Sequence, residues 1–157
     1  MRQFLLCGRN ATGIVTHKQI RGHIALRRSA VDAEATAEAF KEAGITKVGL
    51  LGTKYTMTQD FYKEKLIAAG IEVVIPDSSG VETVNDVIYN ELCLGIIKEE
   101  SRQKFLKVIA QLGEQGAQGV ILGCTEIGLL IKQADTDLPV FDTTLIHGTK
   151  AALLAVR

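Results

Sequence analysis

A thiol, a carboxylate and a hydroxyl stand side by side at Cys124-Thr125-Glu126, and the residues around them say where they sit. Gly119-Val120-Ile121-Leu122-Gly123 is a short apolar run bounded by glycines, the pattern of a strand buried on both faces. Ile127-Gly128-Leu129-Leu130-Ile131 then has the apolar spacing of a helix. Strand, tight turn and helix in that order place Cys124 at the carboxyl edge of a parallel sheet, where open α/β sheets bind their ligands. Backbone N–H groups at a helix start favour a thiolate and a nearby substrate carboxylate. The plainer reading is a buried strand-end cysteine, since cysteine is among the most commonly buried residues.

Other chemistry-bearing residues are scattered. Cys7, Cys93 and Cys124 lie far apart, and His17, His23 and His147 show no metal-ligand spacing with them. No metal site is expected. Cys93, beside Leu92 on an amphipathic pattern, reads as core. His147 reads by base rate as a surface or packing residue, but it follows a strand end and so is kept as a site candidate. Gly49 to Thr56 lacks the glycine spacing of a dinucleotide fingerprint, and no Lys-Ser/Thr pair follows a glycine-rich loop.

The elements that must position these residues are regular from Asp32 onward. Asp32 can cap a helix through Ala33, Ala35, Ala37 and Phe40, stopped at Gly44. Ile45 to Leu51 reads as a buried strand ending in Gly52-Thr53-Lys54-Tyr55-Thr56. Thr58 can cap a helix with Phe61, Tyr62, Leu66 and Ile67 on its apolar side, before a strand from Ile71 to Ile75. Val81, Val84, Ile88 and Leu92 mark one helix face, and Phe105, Val108, Ile109 and Leu112 another. Pro139 to Asp142 is a last strand and Thr144 to Val156 a last helix. Strands alternating with helices predict an α/β fold with a mostly parallel sheet flanked by helices.

Composition narrows the classes. The 157 residues make one ordinary domain with 46% hydrophobic content and zero formal net charge, which gives no hint of nucleic-acid binding. No apolar run has membrane-spanning or signal-peptide character. Three widely separated cysteines do not suggest a disulfide framework, so the reducing cytoplasm is the expected compartment. Residues 1–31 differ from the rest: six of the 18 basic residues precede the first acid, Asp32, leaving 12 against all 18 acidic residues. This basic segment shows no clear period and reads as a solvated arm. Residues 32–157 form the α/β lobe.

Taken together, Ile121 to Ile127, Val48 to Thr53 with Tyr55-Thr56-Met57, and Pro139 through His147 resemble the aspartate/glutamate racemase family, the cofactor-independent two-cysteine amino-acid racemases. Glu91-Leu92-Cys93-Leu94-Gly95 resembles the aspartate/glutamate racemase branch. The resemblance runs from about Val31 to the C-terminus. It implies two similar lobes with the active site between them and one cysteine from each lobe, with the complete lobe here being the second. It also implies a small dicarboxylic amino-acid substrate and no pyridoxal phosphate or other cofactor. Composition and hydropathy point to no nucleic-acid or membrane partner, and apolar surface left by a missing lobe would favour a homo-oligomer. Two acid–base groups must face each other across the α-carbon, one as thiolate and one as thiol. Without an electron sink, hydrogen bonds to the carboxylate must stabilise the carbanion. By the resemblance, Cys124 is the second-lobe cysteine, Thr125 and Glu126 lie beside the substrate, and Thr53 and Thr56 are the carboxylate-side hydroxyls. Cys7 and Asn10 are shifted matches to the first-lobe cysteine turn.

The departure is at the N-terminus, where the resemblance leads one to expect most of a first lobe to be missing. A truncated product, or a shifted reading frame that rejoins near Asp32, is the expectation. Two alternatives stay open: a one-cysteine decarboxylase-like lyase in which Cys124 alone donates a proton, and an inactive domain that binds dicarboxylates or another subunit.

Overall fold

The computed structural model describes residues 36, 37 and 39–156. The basic segment 1–31, with Cys7 and Asn10, lies outside the described residues, as do Asp32, Ala33 and Ala35. Residues 36, 37 and 39–42 are helical, and Gly44 ends the run with φ +67°, a left-handed conformation that suits glycine.

The chain then runs β1 (Lys47–Leu51), α1 (Lys54–Thr58), α2 (Asp60–Ala68), β2 (Glu72–Val74) and α3 (Ser78–Asn90). A 3₁₀ turn (Leu92–Leu94), α4 (Glu99–Glu114), β3 (Val120–Leu122) and α5 (Ile127–Leu130) follow. A second 3₁₀ turn (Gln133–Asp135), β4 (Val140–Asp142) and α6 (Thr143–Ala155) complete the described chain. The four strands form one parallel sheet in the order β2-β1-β3-β4. The expected α/β class is therefore observed.

Helices cover both faces, and the strands alternate between them. Val48, Leu50 and Ile121 pack with Phe40, Tyr62 and Leu66 on one side. Leu51, Val120 and Leu122 pack with Val84, Ile88, Phe105, Ile109 and Leu112 on the other. Phe40 meets Phe141 edge to face, with ring centroids 4.5 Å apart. The apolar stripes read for α3 and α4 are the buried ones: Val81, Val84 and Ile88, then Phe105, Val108, Ile109 and Leu112. Among the described residues, no helix is long and apolar enough to cross a membrane.

Three local expectations give way. Thr58 does not cap the second helix. It closes α1, its hydroxyl donating to the Lys54 carbonyl at 2.8 Å, and extended Gln59 (ψ 151°) separates α1 from α2. Ile67 is exposed, because Tyr62 and Leu66, four residues apart, take the sheet-facing side of α2. Cys93 is exposed as well. α3 ends at Asn90, Glu91 leaves helical geometry (φ −130°, ψ −66°), and the 3₁₀ turn buries Leu92 while turning Cys93 outward. Glu91 anchors this turn by accepting from Ser101 Oγ at 2.5 Å and from Lys98 Nζ at 3.1 Å. The Ser101 bond, with Lys98 beside it, holds the Glu91 carboxyl below the usual carboxylate range.

Ile109 is fully enclosed between α4 and the sheet, so truncating it leaves a cavity. Ile109→Ala is expected to lower unfolding free energy by about 2–5 kcal/mol. Urea unfolding with an unchanged m-value checks this, and a loss below about 1 kcal/mol would contradict the packing described.

Candidate active site

The carboxyl edge is organised by the last rung of the ladder, where Leu51 pairs with Leu122 and Leu122 with Asp142. The residues just beyond are therefore neighbours: Gly52-Thr53 after β1, Gly123-Cys124 after β3, and Thr143 after β4. β1 connects to β2 on one side, whereas β3 and β4 lie on its other side. The β1/β3 boundary is thus the switch point at which open α/β sheets form their binding crevice.

Gly123 closes that boundary. Its N–H donates to the Leu51 carbonyl at 2.7 Å, one residue past the strands. A Cβ on Gly123 would stand 3.0 Å from that oxygen, 3.2 Å from Leu50 Cδ1 and 3.5 Å from Thr56 Cγ2, so only glycine fits without displacement. Thr56 is thereby set beside the residue that precedes Cys124. Thr53 caps α1, its Oγ1 accepting from Thr56 N–H at 3.3 Å, and the two hydroxyl oxygens are 3.0 Å apart. Each hydroxyl carries one hydrogen, and the bond between them uses one. The other is left for a ligand oxygen.

Cys124 is half-buried, and its thiol donates to Glu126 Oε2 at 2.8 Å. Burial and this carboxylate push the Cys124 thiol up to about 12, with one backbone N–H from Glu126 acting the other way. This overturns the expectation that a helix start would favour the thiolate. α5 has only four residues, too few for an appreciable dipole, and Glu126 places its negative charge where that dipole would act. The same hydrogen bond, helped by one from Thr125, holds Glu126 below the usual carboxylate range. Thr125 is exposed.

His147 lies on α6, part-buried and one turn beyond Thr143, hence on the same helix face. Thr143 ties that helix to the edge, its hydroxyl donating to the Leu122 carbonyl at 2.8 Å. Asp142 caps α6, accepting from Thr144 N–H at 2.9 Å and from Leu145 N–H at 3.3 Å. Its other oxygen leaves Gly128 no room for a side chain, since a Cβ there would lie 2.4 Å away. Asp142 therefore bridges the turn carrying Cys124 and the helix carrying His147. The sequence pattern places Asp142 at the end of a strand and starts the helix at Thr144, although an Asp-Thr-Thr run opening a helix carries the cap signal. Among the described residues, no group of three or more His, Cys, Asp or Glu is arranged to hold a metal ion.

The structure thus brings Thr53, Thr56, Cys124, Thr125 and Glu126 to the carboxyl edge of the sheet at the β1/β3 boundary, with His147 on the helix that follows β4. The sequence profile of the Asp/Glu/Hydantoin racemase family matches residues 33–154, which include every one of these residues. The chain belongs to that family. Among solved structures it is similar to a Yersinia pestis protein assigned as an Asp/Glu racemase (54% identity, TM-score 0.76). It is also similar to an aspartate racemase homologue from Pyrococcus horikoshii OT3 (41%, 0.75). Each match covers 80% of this chain and 55% of the other. The aspartate racemase of Picrophilus torridus is more distant (25%, TM-score 0.56), covering 78% of this chain and 52% of that one. A curated protein from the pnlA 3′ region of Pectobacterium carotovorum subsp. carotovorum is 33% identical over 100 residues. That stretch is 64% of this chain and 65% of the relative. The chain thus spans little more than half the length of the solved relatives it matches.

A thiol held protonated is slow to alkylate. In the free protein, iodoacetamide at pH 8 is expected to label exposed Cys93 well before Cys124, and Cys124 reactivity should keep rising towards pH 12. Glu126→Gln removes the negative charge and should speed Cys124 labelling at pH 8, about tenfold for each pH unit by which the titration falls. Equal rates in the wild type and Glu126→Gln would refute the Cys124–Glu126 coupling. Stability follows the same sign. The raised thiol contributes fully below the unfolded cysteine range and is lost between there and pH 12, whereas the lowered Glu126 contributes above the unfolded carboxylate range and is lost in acid.

Proposed function

We propose that this chain forms one half of a cofactor-independent amino-acid racemase site, of the aspartate/glutamate type, with Cys124 as the proton-transfer group on one face of the substrate's α-carbon. The observation that carries the reading is the half-buried thiol at the β1/β3 switch point, hydrogen-bonded to Glu126 and flanked by the Thr53–Thr56 hydroxyl pair, in a chain of this family.

The chemistry follows from those groups. A dicarboxylic amino acid places its α-carboxylate against a hydroxyl hydrogen and its ammonium against Glu126. The ammonium offsets the carboxylate charge that holds the thiol protonated, so ligand binding moves the thiol towards ionisation. As thiolate, Cys124 removes the α-proton. As thiol, it gives a proton to the carbanion formed when the opposite enantiomer loses its α-proton on the other face. Negative charge that develops on the substrate carboxylate is met by the fixed hydroxyls at the strand ends. Inversion needs a second donor on the other face, for which Cys7 is the candidate, with Asn10 as a further substrate contact. His147 approaches from the β4 side as a further polar contact for the substrate. Free-thiol chemistry of this kind suits a reducing cytoplasm. Exposed Leu94, Ile96, Ile97 and Leu129, contributed by neighbouring turns, suit a homo-oligomer.

The raised titration of Cys124 favours a second reading, a one-sided lyase in which this thiol only donates a proton to a carbanion. Incubation in D2O with each enantiomer of aspartate and glutamate separates the two. Inversion with α-deuterium in both directions, reduced about 10²–10⁴-fold by Cys124→Ser and likewise by Cys7→Ser, is the expected result. Release of CO2 from the substrate with one deuterium taken up at the former α-carbon, indifferent to Cys7→Ser, would replace the racemase by the one-sided reading. Neither exchange nor CO2 release with any of the four substrates would remove the enzyme reading.

A further inference from the structure

We propose that Asn85 is a positioning residue for the substrate-facing turn, acting through the backbone of Lys54; the inference rests on the racemase reading above. Lys54 is the first residue of α1, and the first N–H groups of any helix lack an intrahelical acceptor. The cap residue Thr53 serves the N–H of Thr56. The Lys54 N–H goes instead to Asn85 Oδ1 at 2.8 Å, a partner 31 residues further along the chain on α3.

α3 is well placed to hold that acceptor still. Asp77 caps it, accepting from Gly80 N–H at 2.7 Å, and Val81, Val84 and Ile88 lock its apolar face against the sheet. Asn85 follows Val84 and projects on the flank that meets α1. Glu82, one turn earlier on the same flank, pairs with Lys54 Nζ. The two contacts to Lys54 are unequal. Both members of the ion pair are 54% exposed, so solvent screens it and it orients little. The bond to Asn85 is also solvent-accessible, but its donor is the peptide itself, so it bears directly on where the helix begins.

That matters because α1 has five residues, far too few to hold a direction by itself. Its position is set at the near end by the ladder that ends at Leu51, at the far end by buried Met57, and between them by Asn85. Thr53 and Thr56 flank the Lys54 peptide, so releasing its N–H lets the hydroxyl pair swing relative to Cys124. Small misplacements of a substrate-orienting group weaken the reaction without touching the reacting atoms. No sequence pattern marks Asn85. A polar residue within an amphipathic helix reads as solvated surface.

The test uses the 157-residue chain and α-deuterium exchange, with amide hydrogen exchange at Lys54 read in parallel. Asn85→Ala is expected to raise KM about fivefold or more, the change that matches one lost hydrogen bond, with kcat moving less. Its Lys54 amide should exchange faster by a similar factor. Asn85→Asp keeps the acceptor oxygen and should restore both readouts, and Glu82→Gln should match the wild type. Lys54→Pro removes the same bond from the donor side, at a helix position where proline is tolerated and after a residue already extended (Thr53 ψ 156°). It should reproduce the Asn85→Ala KM and serves if that variant fails to fold. An unchanged KM in both Asn85→Ala and Lys54→Pro, with the wild type active, overturns the proposal and leaves the racemase reading standing. A wild type without exchange overturns the racemase reading. The Lys54 amide then decides alone, and protection undiminished in Asn85→Ala shows that Asn85 does not hold the turn.

Discussion

The bond from Gly123 N–H to the Leu51 carbonyl is the constraint on which the site depends. It carries the β1–β3 ladder one residue beyond the strands and makes two sequence-distant turns share a wall. Because a Cβ at Gly123 would collide with Leu51 and Leu50, the closeness of the Thr56 and Cys124 turns is written into the absence of one side chain. The strand order supplies the rest. With β2 on one flank of β1 and β3 on the other, the helices leave the edge in opposite directions and open a crevice between them.

A second close approach joins the third turn to the other two. Gly128 lies against Asp142, which caps α6, while Thr143 bonds back to Leu122. The hydroxyl turn, the thiol turn and the helix bearing His147 are thus tied by one glycine–backbone contact, one glycine–carboxylate contact and one hydroxyl–carbonyl bond. Each of these involves the end of a strand. The cores on either face, α3 and α4 on one and α2 on the other, keep those ends in register and take no direct part in the site.

Much of this was legible in the residues. The strands around Leu50 and Ile121, the buried faces of α3 and α4, and the placing of Cys124 beyond a buried strand all follow from apolar periodicity and glycine punctuation. Asp142 was legible as a cap but was read only as the end of a strand. Thr58 misled because two short helices in succession look like one with an early cap. Cys93 misled because the helical pattern runs on through Leu92, while the backbone leaves the helix at Glu91. The charge state of Cys124 could not be read locally. A carboxylate two residues along the chain is neutral information until the turn folds its oxygen onto the sulfur. Asn85 is harder still, since its partner is a peptide N–H, which every residue but proline possesses.

The hydrogen bond between Cys124 and Glu126 has a consequence for how the protein ages. Peroxide and other oxidants attack the thiolate form of cysteine. Half-buried and kept protonated by its neighbour, Cys124 is a poor target for them in the resting protein, while exposed Cys93 on the adjacent turn is open to attack. One carboxylate thus shields the sulfur from oxidative damage in the resting protein.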